Sequence, residues 1–67
     1  MKVTEMSFDM FHKSAQQMEY EGGSFAKSIA KAFYVADEDN QQRLITAFDD
    51  LFVEFYRKHC EYVLMQD

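Results

Sequence analysis

The chain has 67 residues, with twelve Asp and Glu against seven Lys and Arg for a formal net charge of -5. That length implies a single domain, 1–67, near the lower limit for burying a sufficient core without disulfides or metals, and the acidic balance weighs against a general affinity for nucleic acid or anionic lipid. Apolar residues at 48%, with seven Phe, four Tyr and five Met among them, exclude a disordered chain, and two Gly with no Pro favour long helices over strands and turns.

The first predicted element covers residues 7–20. Phe8, Phe11, Ala15 and Met18 recur at spacings of three, four and three, which places them on one helical face. Ser7 is a good N-cap, Asp9 adds favourable charge in the first turn, and Met6 with Phe11 has the N′ to N4 spacing of a hydrophobic staple.

The stretch "EYEGGSFAKS", residues 19–28, superficially suggests a phosphate-binding loop, but it departs from GxxxxGK[ST] at two places. Ala26 precedes Lys27 and Glu21 stands where the first glycine belongs. The segment before it is helical in spacing where a strand is required, and Glu19 and Glu21 would repel the anion. The expectation is therefore a turn, with Gly22 or Gly23 in the left-handed conformation and Ser24 capping a second helix over 24–36. Phe25, Ile29 and Phe33 would form its apolar edge, with Ala26 and Ala30 beside them for close helix approach and Lys27 and Lys31 elsewhere on its surface.

Asp39 followed by Gln42 resembles a capping box and predicts a third helix over 39–64. Its stripe runs through Leu44, Phe48, Leu51 and Phe55 and on toward His59 and Tyr62, widened by Ile45, Phe52 and Tyr56. Phe48, Leu51 and Phe55 are the expected centre of the core. Unbroken, such a helix is roughly 38 Å long at about 1.5 Å per residue, and it would outrun its two shorter neighbours. The overhang, Tyr56, Cys60, Tyr62, Val63, Leu64 and Met65, is the predicted interface.

Chemistry-bearing patterns are sparse. His12 and His59 are the two histidines, and neither they nor Asp9 and Cys60 have the spacing of HExxH or paired CxxC, so no metal is expected. Cys60 follows His59 directly, and sequential helical neighbours point about 100° apart, which is wrong for a nucleophile and its base. Asp49, Asp50 and Glu54 read as a solvated face, with Glu54 and Lys58 as an i, i+4 pair; a general acid needs a concave, partly dry site that so short a chain rarely encloses. Ser24, Lys27, Ser28 and Lys31 could face a phosphate backbone in a helix-turn-helix, but the basic charge is too thin and no Asn, Gln and Arg cluster marks a base reader. The expectation is a protein that is not an enzyme and takes no cofactor.

The single cysteine cannot pair within the chain, and the longest apolar run is the five residues "AFYVA", far short of a membrane span. A reducing, cytoplasmic setting with no membrane association follows as an expectation.

"GGSFAKSIAKAFYVADEDNQQRLITAFDDLFVEFY", residues 22–56, combines Gly22 and Gly23 before a helix, a turn of Ala36, Asp37 and Asn40, and the run Leu44, Ala47, Phe48, Leu51, Phe52 and Tyr56. This order resembles a type of short phage and prophage protein. The resemblance implies a source, host cytoplasm included, and carries no assigned activity. In that pattern a proline often follows "AF", where this chain has Asp49, which leaves open whether the third helix is continuous or bends near Phe48 and Asp49.

These readings predict an all-α domain of three helices with a long, bent or straight C-terminal one. The expected function is that of a small acidic accessory protein that binds another protein, such as a host defence or regulatory protein it inhibits or modulates, with self-association into a homo-oligomer through the last helix. The alternative is a nucleic-acid-associated regulator, helix-turn-helix-like or an acidic mimic of DNA. The step from fold to either role is analogy.

Overall fold

The computed structural model describes residues 2–65. Among them a 3-10 turn, Val3–Glu5, leads into α1 (Phe8–Glu21), α2 (Ser24–Val35), α3 (Glu38–Ala47) and α4 (Asp49–Met65), and no strand is present. The fold is all-α with a long last helix. The predicted third segment is two helices.

The start of α1 follows from its residues. The Ser7 hydroxyl accepts from the Met10 N–H at 3.3 Å, the Met10 sulfur accepts from the Ser7 N–H at 3.3 Å, and Met6 and Phe11 are both buried in the core. The other two caps differ from expectation. α2 begins one residue beyond Gly23, which is its N-cap and offers no side-chain acceptor, so Ser24 is the first helical residue and not the cap. α3 is capped by Asp37, whose carboxylate accepts from the Asn40 N–H at 2.9 Å, and not by Asp39.

Neither glycine is left-handed: Gly22 has φ -72° and ψ 157°, Gly23 φ -72° and ψ -174°. The reason for glycine at position 22 is steric. A Cβ there would run into the Met18 carbonyl oxygen and lie 2.6 Å from the Ala26 Cβ, so the missing side chain lets α2 fold back tightly on α1. His12 then meets Phe33 with ring centroids 5.2 Å apart, so the two helices form an antiparallel hairpin.

Phe48 breaks the helical run. Its backbone, at φ -124° and ψ 40°, leaves the helical region, while the Asp49 carboxylate accepts from the Asp50 N–H at 2.8 Å. A side chain that captures a nearby backbone donor offers the chain an alternative to the helix, and this ends α3 without a proline. α4, with 17 residues, is consequently about 26 Å long at about 1.5 Å per residue.

The two helices most extensively packed together, α1 and α4, run in the same direction. Phe11 meets Phe52 edge-on at 5.9 Å, the Ser14 hydroxyl donates to the Phe52 carbonyl at 2.7 Å, and Tyr20 meets Tyr62 at 5.3 Å. The small, fully buried Ser14 permits this close approach. Gln41 ties α3 to α2 by donating its side-chain N–H to the Phe33 carbonyl at 3.0 Å, which satisfies one of the carbonyls that the end of α2 leaves free.

The core centre is displaced from the predicted one. Phe33 and Phe52 are fully buried with ring centroids 5.5 Å apart, joined by Met18, Ala30, Phe55 and Ile45. Phe48 and Leu51 are half-buried and pack against this cluster from outside. Phe25, placed by its spacing in the apolar edge of α2, is 61% exposed and lies edge-on to Phe48 at 5.5 Å.

Candidate functional site

Parallel packing of α1 and α4 brings their C-terminal ends to the same end of the molecule. Between them lies a groove of about 560 Å³ lined by Gln16, Gln17, Glu19 and Tyr20 of α1 and by His59, Tyr62 and Val63 of α4. Beside it Leu64 is 74% and Met65 84% exposed, while Val63 and Tyr20 are 51% and 66% exposed. Of the six residues predicted as an interface, Tyr62, Val63, Leu64 and Met65 are exposed here. Tyr56 packs against the core and Cys60 is half-buried.

Gln17 is the unusual member of this group. It is 3% exposed, and its side-chain nitrogen is buried with no hydrogen-bond partner. A buried donor left unpaired costs about 1–3 kcal/mol, so native structures rarely keep one without a reason. A stripe traced through apolar residues alone does not include Gln17. Its position supplied the signal: Phe11, Ser14 and Gln17 succeed one another at i+3 on the buried side of α1.

Acidic side chains gather at this end. Among the described residues Glu19 is the sole formally charged one in the groove lining, Glu21 ends α1, Glu61 lies in α4, and neither helix has a basic residue in its last turn. The C-termini of α1 and α4 carry the negative ends of their macrodipoles, while the N-terminus of α2, which starts at Ser24 directly after α1, sets a positive end beside them.

The other sequence candidates are not assembled into a reactive site. His12 is packed among rings, edge-on to Phe8 at 4.5 Å and to Phe33 at 5.2 Å, and Asp9 pairs with Lys13 at 3.0 Å. His59 stacks on Tyr56 at 6.4 Å. Lys58 sits 4.6 Å over the Phe55 ring and does not form the predicted pair with Glu54. On α2, Lys27 and Lys31 are exposed, and the Ser28 hydroxyl is turned back onto the Ser24 carbonyl at 2.9 Å. Among the described residues no three His, Cys, Asp or Glu are grouped to hold a metal, and no helix is long and apolar enough to cross a membrane.

A second groove, of about 820 Å³, lies at the α3–α4 break, with Val3, Phe48, Leu51 and Val53 as its apolar part and Asp49, Asp50 and Glu54 as its acids. Asp49 and Asp50 are accounted for by the first turn of α4, where negative charge stabilises the helix. Among the described residues no buried side-chain nitrogen or oxygen in this groove lacks a hydrogen-bond partner.

Comparison with protein-family models, with characterised proteins and with solved structures gave no match.

Three tyrosine hydroxyls ionise above the usual range. Interaction with the Cys60 thiol raises Tyr56, interaction with the Tyr20 hydroxyl raises Tyr62, and burial, assisted by Glu19, raises Tyr34. The native state thus holds these protons more tightly than the unfolded chain, whose tyrosines titrate at about 10. Their contribution to stability is complete below that pH and is lost as pH rises through the raised native values. A tyrosinate absorbance titration should show midpoints above 10 that return to the ordinary value in denaturant; identical native and denatured curves would contradict the Tyr20–Tyr62 and Tyr56–Cys60 contacts.

Proposed function

We propose that the chain is a small acidic accessory protein that acts by binding another protein, and that Tyr20 with Val63, Leu64 and Met65 forms the contact. The observation that carries this reading is the apolar surface gathered where α1 and α4 end, with Leu64 and Met65 at 74% and 84% exposure. Single exposed apolar residues are ordinary on any protein, whereas a group of them at one end of so small a body marks a surface that another molecule covers. The resemblance to short phage proteins supplies the setting: bacterial cytoplasm, and a host protein whose surface is occupied and whose activity is inhibited or modulated. It is a binding role and not an enzymatic one.

The test is retention from a bacterial extract by the immobilised full chain, compared with a Leu64→Asp/Met65→Asp variant of equal melting temperature. One host protein should be held by the wild type and at least tenfold less by the variant. Recovery of the same proteins in the same amounts by both would sink the assignment of this surface.

A further inference from the structure

We infer that the last two turns of α4, residues 59–65, form a latch that leaves α1 and unwinds while the rest of the fold stays intact, and that the covered side chain of Gln17 biases it toward opening. The inference does not depend on the protein-binding reading. It gives the surface of that reading two forms, gathered when the latch is closed and dispersed when it is open.

Burial is uneven along α4. Phe52 and Phe55 belong to the core, whereas His59 and Cys60 are half-buried and residues 61–65 are all exposed. Tyr62 supplies the ring contact from this segment to α1, its centroid 5.3 Å from that of Tyr20. Helical turns in proteins are held chiefly by tertiary packing, and a stretch with so little of it opens at a far lower cost than the core.

Gln17 lies beneath the path of α4. Three residues before it on α1, Ser14 donates to the Phe52 carbonyl at 2.7 Å, and three residues after it Tyr20 meets Tyr62. The part of α4 between Phe52 and Tyr62 therefore passes over Gln17, which shares a groove lining with His59, Tyr62 and Val63. The Gln17 side-chain nitrogen is enclosed there without a hydrogen-bond partner. Closing the latch takes water from this donor and puts no acceptor in its place, and opening hydrates it again. The penalty for a buried unpaired donor corresponds to about 5- to 150-fold in an equilibrium. Gln17 thus favours the open latch and the Tyr20–Tyr62 contact the closed one.

The experiment is hydrogen exchange followed by NMR on the full chain under native conditions. In the wild type the Gln17 side-chain amide protons and the backbone amides of residues 59–62 should exchange at least tenfold faster, corrected for intrinsic rates, than the backbone amides of Ala30 and Phe33, which are fully buried in the core. Tyr62→Ala, a change at an exposed position, should speed exchange of the Gln17 side chain at least fivefold. Gln17→Met keeps the approximate shape of the side chain and removes its donor. It should slow exchange at residues 59–62 at least fivefold and slow Ala30 and Phe33 by the same factor, because the open latch and the unfolded chain both uncover position 17.

Gln17 side-chain protons that exchange only as fast as Ala30 and Phe33 overturn the inference, since the cover then lifts only on global unfolding. Residues 59–62 that exchange no more slowly in Gln17→Met overturn it as well: if the core alone is slowed, the helix end frays without uncovering Gln17, and if neither is slowed, the glutamine is not an unpaired donor in the closed form.

Discussion

Phe52→Ala is expected to unfold the protein. The Phe52 ring is fully buried, meets Phe11 edge-on at 5.9 Å and Phe33 at 5.5 Å, and so joins α4 to both α1 and α2. Truncating a buried Phe to Ala costs about 3–5 kcal/mol. At roughly 0.05–0.15 kcal/mol per residue, the whole domain has about 3–10 kcal/mol to lose. Phe33→Ala should do the same for the same reason. Phe48→Ala is the control: its ring is half-buried and its aromatic neighbour Phe25 is 61% exposed, so the variant should keep a cooperative melt at a modestly lower temperature. Circular dichroism melts decide the order. If Phe48→Ala unfolds and Phe52→Ala does not, the core has been assigned to the wrong side of α4.

That comparison also shows where periodicity stops being informative. The apolar spacing from Leu44 to Tyr62 was read as one phase, and in one continuous helix Phe48, Leu51 and Phe55 would share its inner face. Ile45, Phe52 and Phe55 are the buried positions, seven and three residues apart, so the period carries across the break at Phe48 and the buried face lies to one side of the predicted Phe48, Leu51 and Phe55, with Phe55 common to both. In the sequence Asp49 and Asp50 read as a solvated face, and a bend near Phe48 and Asp49 is left open. Whether a carboxylate captures its neighbour's N–H or leaves it to the helix is decided by packing on both sides, which no local pattern contains. By contrast the start of α1 was legible throughout, because Ser7, Asp9, Met6 and Phe11 act within one turn of each other.

The candidate site was legible in half. Exposed apolar residues at the end of the last helix follow from its sequence alone, and Val63, Leu64 and Met65 are where the spacing put them. The other wall was not, because it depends on α1 running parallel to α4 and on Gln17 and Tyr20 falling opposite Tyr62. Helix direction in a bundle is set by connection lengths and by which small residues meet. Ser14, fully buried, meets α4 directly by donating to the Phe52 carbonyl. Gln17 lies on the buried stripe of α1 and contributes to the groove lining, which spacing traced through apolar residues alone does not reach.

Serine placed at the two adjacent glycines should change stability in opposite directions. At position 22 its Cβ would collide with the Met18 carbonyl oxygen and stand 2.6 Å from the Ala26 Cβ, and backbone on one side and a helix on the other leave neither free to yield. Gly22→Ser must open the α1–α2 hairpin, and overpacking of this kind typically costs about 1–3 kcal/mol. In a domain of this size each kcal/mol moves the melting temperature by about 4–8 °C. At position 23 a Cβ meets nothing within 4 Å, and φ of -72° suits any residue. Gly23→Ser would supply the side-chain acceptor that the N-cap of α2 lacks and would restrict the unfolded chain, together a gain of about 0.5–1 kcal/mol. If glycine served here for a left-handed turn, both substitutions would destabilise; if the hairpin were loosely packed, neither would. A Gly22→Ser melt well below wild type beside a Gly23→Ser melt at or above it is the result that the close approach of Met18 and Ala26 requires.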